Sequence, residues 1–171
     1  MLVGESNQNL NHESGCLFCK LGSGELPSYK IYEDEDYFAI LDIYPNITGQ
    51  ALVIPFKHVS SYVFDLEDKD LEKFAVVTKK VAKILERSLD NVRVHLVLEG
   101  TAINHLHAKL YPAIGMKSKN EHIYAEEFVY FPKYLGFVCT LLGPRANDED
   151  LKDLQKKILA ANPDQSALLG R

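Results

Sequence analysis

Polar and apolar residues alternate along positions 104–112, Asn-His-Leu-His-Ala-Lys-Leu-Tyr-Pro. In an extended strand successive side chains point to opposite faces. The pattern therefore predicts a front of His105, His107, Lys109 and Tyr111 and an apolar back of Leu106, Ala108 and Leu110. Just upstream, Val92, Val94, Leu96 and Leu98 alternate with Arg93, His95 and Glu99, predicting a half-buried strand over 91–99. Positions 29–33 and 37–42 read as two strands at hairpin distance, parted by the acidic turn Asp34-Glu35-Asp36. Positions 51–55, Ala-Leu-Val-Ile-Pro, are apolar throughout, as in a strand buried on both faces. Pro45, Asn46 and Gly49 mark a loop before it.

The longest helical period spans 66–89, where Leu71, Phe74, Ala75, Thr78, Val81, Ala82, Leu85 and Leu89 recur at three- and four-residue steps. Its acidic residues sit early and Lys79, Lys80, Lys83 and Arg87 late, an order that complements the helix dipole. Cys16 to Leu21 suits a short helical turn ended by Gly22-Ser23-Gly24. After a patternless stretch over 113–127, positions 128–131 and 134–142 read as strands broken by Pro132. A last amphipathic helix, capped by Asn147 or Asp148, runs through Leu151, Leu154 and Ile158. The order of elements predicts an α+β fold, an antiparallel sheet with helices packed on one side.

The 171 residues fit one domain, or one with an appendage. The expected division is a tail over 1–14, a core domain over 15–115 and a C-terminal extension over 116–171 packed on it. A net charge of -5 gives no reason to expect long nucleic acids, though a single nucleotide needs only a few amides and polar groups. No apolar run approaches a membrane span, and the polar start lacks a secretion signal pattern, so a cytoplasmic location is expected. Three cysteines are too few for a disulfide framework. Cys139, inside an apolar run, reads as a buried small hydrophobe.

Two constellations could carry chemistry. Cys16 and Cys19 form a C-x-x-C pair, and with His58 and His105 they would complete the four soft ligands of a closed zinc site. Spacing alone leaves exposed thiols as the alternative. The second is the His-x-His-x-Lys strand. A neutral imidazole attacks phosphorus when a neighbour accepts its other N–H and cationic or N–H donors surround the phosphate. His107, between His105 and Lys109, meets that demand. A catalytic metal held by the two histidines ranks below it, for want of a matching carboxylate.

With these residues in view, the sequence resembles the histidine triad (HIT) family of nucleotide-binding hydrolases and transferases. The family's His-φ-His-φ-His-φφ motif, φ being apolar, is matched by His105-Leu-His107-Ala-Lys109-Leu-Tyr. Cys16-Leu-Phe-Cys19-Lys is similar to the opening of zinc-bearing members. Gly24-Glu-Leu-Pro-Ser-Tyr-Lys-Ile-Tyr-Glu-Asp, Ala39-Ile-Leu-Asp42-Ile and Thr48-Gly-Gln-Ala-Leu-Val-Ile-Pro-Phe-Lys-His58 follow in family order. The resemblance runs from about Cys16 to Pro112. It implies an antiparallel sheet with the long helix packed on it, often a two-fold dimer, and a nucleotide or nucleotide conjugate as ligand. It implies that His107 is the nucleophile, and that His105 can join Cys16, Cys19 and His58 around a structural zinc. Asp42 would hold ribose hydroxyls, and Leu17, Phe18, Leu21 and Ile43 would line the base pocket.

Two departures stand out. Lys109 replaces the third histidine, a point charge without the tautomers of imidazole. Galactose-1-phosphate uridylyltransferases, distant relatives of the family, carry glutamine there and still transfer nucleotidyl groups. The connection from Glu99 to His105 is also short, leaving Thr101 and Asn104 as the local polar groups for phosphate. The expected function is cleavage of a phosphoanhydride or phosphoramidate bond through a nucleotidyl-His107 intermediate. The alternative is a nucleotide-binding module that Lys109 has deprived of efficient turnover.

Overall fold

A computed structural model describes Glu13 and residues 15–89, 92–140 and 143–160. The tail over 1–14, apart from Glu13, the end of the strand expected over 134–142 and the residues after 160 lie outside these. Two compact units form, Met1–His122 and Ile123–Arg171. Residues 116–122 belong to the first, where Arg93 Nη1 donates to the Lys119 carbonyl at 3.0 Å.

Unit one is an antiparallel five-stranded sheet with helices, an α+β fold. Its strands are β1 (Lys30–Glu33), β2 (Tyr37–Leu41), β3 (Ala51–Pro55), β4 (Val94–Val97) and β5 (Ala108–Pro112), in spatial order β1-β2-β3-β5-β4. The helices are α1 (Leu17–Ser23) and α2 (Asp68–Ser88). The Asp34 carboxylate fixes the β1–β2 turn by accepting from the Tyr37 and Asp36 amides.

Period-two patterning divides the core between two faces. Ala39, Ala51, Val53, Leu106, Ala108 and Leu110 face one cluster with Phe74, Val77, Val81 and Leu85 of α2. Phe38, Ile40, Leu52 and Ile54 face the other, with Cys16, Phe18 and Cys19 of the α1 segment. β3 supplies both, which is why all five of its residues are buried. Each large side chain so buried contributes about 1.5–3 kcal/mol. Lys109 and Tyr111 thus emerge on the α1 side, opposite the long helix.

Some boundaries differ from expectation. α2 starts at Asp68, because a 3-10 turn over Val63–Asp65 and an extended Leu66 precede it. Ala75 is exposed and Val77 takes its place in the buried stripe. Leu96 and Leu98 are exposed, because β4 is the sheet's edge and lies at the limit of the cover from α2. His105 and His107 precede β5 rather than lying within it.

The second unit corrects the expected C-terminal strands. Among its described residues 128–140 form no strand, and the α-helix α3 (Asp148–Ala160) is the regular element. An extended segment needs a neighbour for its backbone groups, and among the described residues no strand pairs with these. Phe128, Tyr130, Tyr134, Phe137 and Val138 are correspondingly exposed, and Cys139 is half-exposed rather than buried.

Candidate functional site

α1 runs from Leu17 to Ser23, and Gly24, with a positive φ of 80°, forms its left-handed cap. This short helix brings Cys16 and Cys19 beneath the segment that precedes β5. Cys16 Sγ lies 3.3 Å and Cys19 Sγ 3.6 Å from His105 Nδ1. Cys19 Sγ is also 3.5 Å from His58 Nδ1. The four ligand atoms lie within 4.8 Å of one another.

The second nitrogen of each histidine shows how its ring is set. His105 Nε2 donates to the Pro55 carbonyl at 2.9 Å, which leaves Nδ1 as the unprotonated nitrogen facing the thiols. His58 Nε2 donates to a Glu13 carboxylate oxygen at 2.9 Å, so its Nδ1 likewise faces Cys19. Outer acceptors on both rings are the usual orienting partners of metal-bound histidine. A tetrahedral ion with bonds of about 2.0–2.3 Å would space its donors by about 3.3–3.8 Å, the range of the three sulfur–nitrogen separations above. Burial pushes the Cys19 thiol pKa up; a backbone bond at Glu13 opposes this and Cys16 adds to it. A cation in the cluster would reverse that balance. The cluster is thus a Cys2His2 set that could hold a metal ion.

His107 lies beside it. Its ring is buried and meets Phe18 edge-on at 4.9 Å between centroids, and Phe18 also meets His105 at 5.8 Å. His107 Nδ1 donates to the His105 carbonyl at 2.7 Å. A carbonyl only accepts, so the proton is on Nδ1 and the lone pair is on Nε2. Burial holds the imidazole pKa below its ordinary value; the His105 bond opposes this and the Lys109 charge assists it.

Lys109 Nζ donates to Glu99 Oε2 at 2.8 Å, and Thr101 Oγ1 donates to Glu99 Oε1 at 2.6 Å. Burial disfavours the ammonium, but the bond and charge of Glu99 outweigh it and hold the Lys109 pKa above the ordinary lysine value. Asn104 Oδ1 accepts from the Ser61 amide at 3.1 Å and from the hydroxyls of Ser60 and Ser61, tying two loops together. Gly100, at φ 68°, lies so close to Ser61 that an added Cβ would stand 2.7 Å from its carbonyl oxygen.

Asp42 follows β2. Its Oδ1 accepts from the Tyr44 amide at 2.8 Å and its Oδ2 from Gln50 Nε2 at 2.7 Å. Among the residues expected from sequence, Cys16, Cys19, His58, His105, Phe18 and His107 are brought together directly. Leu21 packs against the same apolar cluster, whereas Leu17 and Ile43 are exposed at 44% and 66%. Sequence reasoning missed two residues: Glu99, bonded to Lys109, and Gln50, a buried amide that orients Asp42. Gln50 had a signal, as an amide between a glycine turn and an apolar strand.

The HIT domain family model matches residues 23–112. An uncharacterized HIT-like protein of Borreliella burgdorferi is 46% identical over 72 residues, 42% of this chain and 51% of that protein. The chain thus spans about half the length of that curated relative. The adenosine 5'-monophosphoramidase of Saccharomyces cerevisiae is 32% identical over 107 residues, 62% of this chain and 67% of the yeast protein. A crystal structure from Streptococcus mutans shares the fold at a TM-score of 0.62, with 24% identity, covering 94% of this chain and 93% of its own.

Proposed function

The chain belongs to the HIT domain family, and on that footing we propose that it cleaves a nucleotide phosphoanhydride or phosphoramidate through a covalent nucleotidyl-His107 intermediate. The observation that carries this reading is the 2.7 Å bond from His107 Nδ1 to the His105 carbonyl. It leaves Nε2 as the nucleophile and supplies an acceptor that steadies the imidazolium as it forms. Burial keeps the ring neutral at neutral pH and excludes water from its flank.

In this reading Nε2 attacks phosphorus, the bond to the leaving group breaks, and water or another acceptor then takes the nucleotidyl group. The Lys109 ammonium serves the charge on the phosphoryl oxygens, while Thr101 and Asn104 face the phosphates. Asp42, held by Gln50 and Tyr44, keeps lone pairs for ribose hydroxyls. Phe18, Leu21, Leu17 and Ile43 receive the base.

Cys16, Cys19, His58 and His105 would hold zinc, fastening α1, the loop after β3 and the segment before β5 to one point. Its contribution is structural and lies outside the chemical step. A two-fold dimer is part of the same reading, supported by the edge of β4, which among the described residues no further strand pairs, with Leu96 half exposed.

The ion pair of Lys109 with Glu99 favours a second reading, a nucleotide-binding module with weak or no turnover. Incubation with adenosine 5′-phosphoramidate and with dinucleoside polyphosphates separates the two. Release of AMP supports the enzyme. Tight nucleotide binding without product supports the module.

A further inference from the structure

Lys109 stands two residues beyond His107 on the same side of the sheet, about 6–7 Å along the backbone at strand spacing. Register explains its partner. Val97 of β4 lies opposite Lys109, so Glu99, two residues on, shares its face. The carboxylate is then engaged at both ends, by Lys109 at 2.8 Å and by Thr101 at 2.6 Å. The Glu99 side chain is only 9% exposed, so this carboxylate is not an idle surface charge.

An ammonium held by a buried carboxylate is a poor general acid. Donors work best with a pKa near the working pH, and an ordinary lysine already lies at about 10.4. It remains a good electrostatic partner, because one of its three N–H groups serves Glu99 and, among the described residues, two are available to phosphoryl oxygens.

That asymmetry separates the two bond types open to His107. When Nε2 attacks an anhydride, the N–P bond forms, the bridging P–O bond breaks, and the electron pair leaves on a phosphate oxygen. This oxyanion needs no proton, and the ammonium neutralises its charge. In a phosphoramidate the pair would leave on nitrogen, and an amine departs only after receiving a proton from an acid. Resting on the reading of His107 as nucleophile, we propose that the Lys109–Glu99 pair commits this site to nucleotide phosphoanhydrides and disfavours phosphoramidates. To complete the cycle, water attacks the nucleotidyl group, the O–P bond forms, the P–N electron pair returns to Nε2, and one water proton passes to solvent.

The test compares kcat/KM for diadenosine tetraphosphate and adenosine 5′-phosphoramidate in the full chain and in Lys109→His and Glu99→Gln. The wild type should favour the tetraphosphate by about 100-fold, the lower range of what a positioned acid supplies. Lys109→His should narrow that ratio by about tenfold or more by raising phosphoramidate kcat. Glu99→Gln should lower tetraphosphate kcat by about tenfold, because the ammonium loses its anchor. Across aryl esters of AMP, wild-type rates should fall steeply as the leaving phenol becomes less acidic, and Lys109→His should flatten that slope. Lost packing alone would not produce that change. Wild-type phosphoramidate turnover within about tenfold of the tetraphosphate overturns the division and leaves His107 as nucleophile. No turnover of either substrate, with no nucleotidyl adduct, overturns the reading of His107 and this inference with it.

Discussion

His105 and His107 are joined by one short bond, in which the Nδ1–H of His107 donates to the His105 carbonyl oxygen at 2.7 Å. The ring of His105 is part of the Cys2His2 cluster, with its Nδ1 3.3 Å from Cys16 Sγ. One residue therefore serves the cluster with its side chain and the neighbouring imidazole with its backbone. Whatever fixes the ring also fixes the carbonyl that sets the tautomer of His107.

Cys16→Ser tests this coupling. Loss of one ligand should lower bound zinc from about one per chain to well below half, and destabilise the fold by about 2 kcal/mol or more. Metal analysis and thermal unfolding measure both, and AMP release should fall alongside them. Zinc content unchanged by the substitution contradicts the ligand set.

The pH profile tests the buried imidazole. The folded-state pKa of His107 lies below its ordinary value, chiefly because of burial. Above about pH 6.5 the ring is neutral in both folded and unfolded chains. Below that the unfolded chain takes up its proton first, so stability from this group falls with pH until the lower folded value is passed. The acid limb of kcat/KM should accordingly lie below about 6.5, and a limb near 7 or higher contradicts a buried neutral nucleophile.

Gly100→Ala tests the loop that carries Thr101. At φ 68° a side chain is strained, and its Cβ would meet Ser61 Cβ at 2.6 Å. A loss of about 1–3 kcal/mol is expected in denaturant unfolding, with a raised KM as Thr101 and Asn104 shift. Unchanged stability and KM would show that the two loops separate without consequence.

Gln50→Leu tests the support of Asp42. The Gln50 amide, itself buried, donates to Asp42 and accepts from the Asn46 amide at 2.9 Å. Its removal takes away both bonds, costing about 0.5–1.5 kcal/mol for each. Nucleotide affinity measured by calorimetry should weaken by about tenfold or more, since about 1.4 kcal/mol corresponds to that factor. Unaltered affinity would place the ribose elsewhere.

Much of this arrangement was legible in the sequence, because period and spacing are local. The alternation at 104–112 places Leu106, Ala108 and Leu110 in the core beneath α2. The expected helical turn from Cys16 to Leu21 corresponds to α1, with Cys16 at its N-cap and Cys19 within it. What stayed hidden depends on pairing between distant segments. Glu99 meets Lys109 only because β4 and β5 align Val97 with Lys109, a register that no local pattern specifies. The strands expected over 128–131 and 134–142 did not form among their described residues for the converse reason, since β propensity without a neighbouring strand does not make one.

The central claim is a nucleotidyl group on His107, and intact-mass analysis of rapidly quenched protein tests it most directly. Incubation with diadenosine tetraphosphate should give a species heavier by one adenylyl group, acid-labile as a phosphoramidate bond requires, mapped to the peptide containing His107 and absent in His107→Asn. Continued hydrolysis by His107→Asn at the wild-type rate, or an adduct mapped to another residue, would contradict the account.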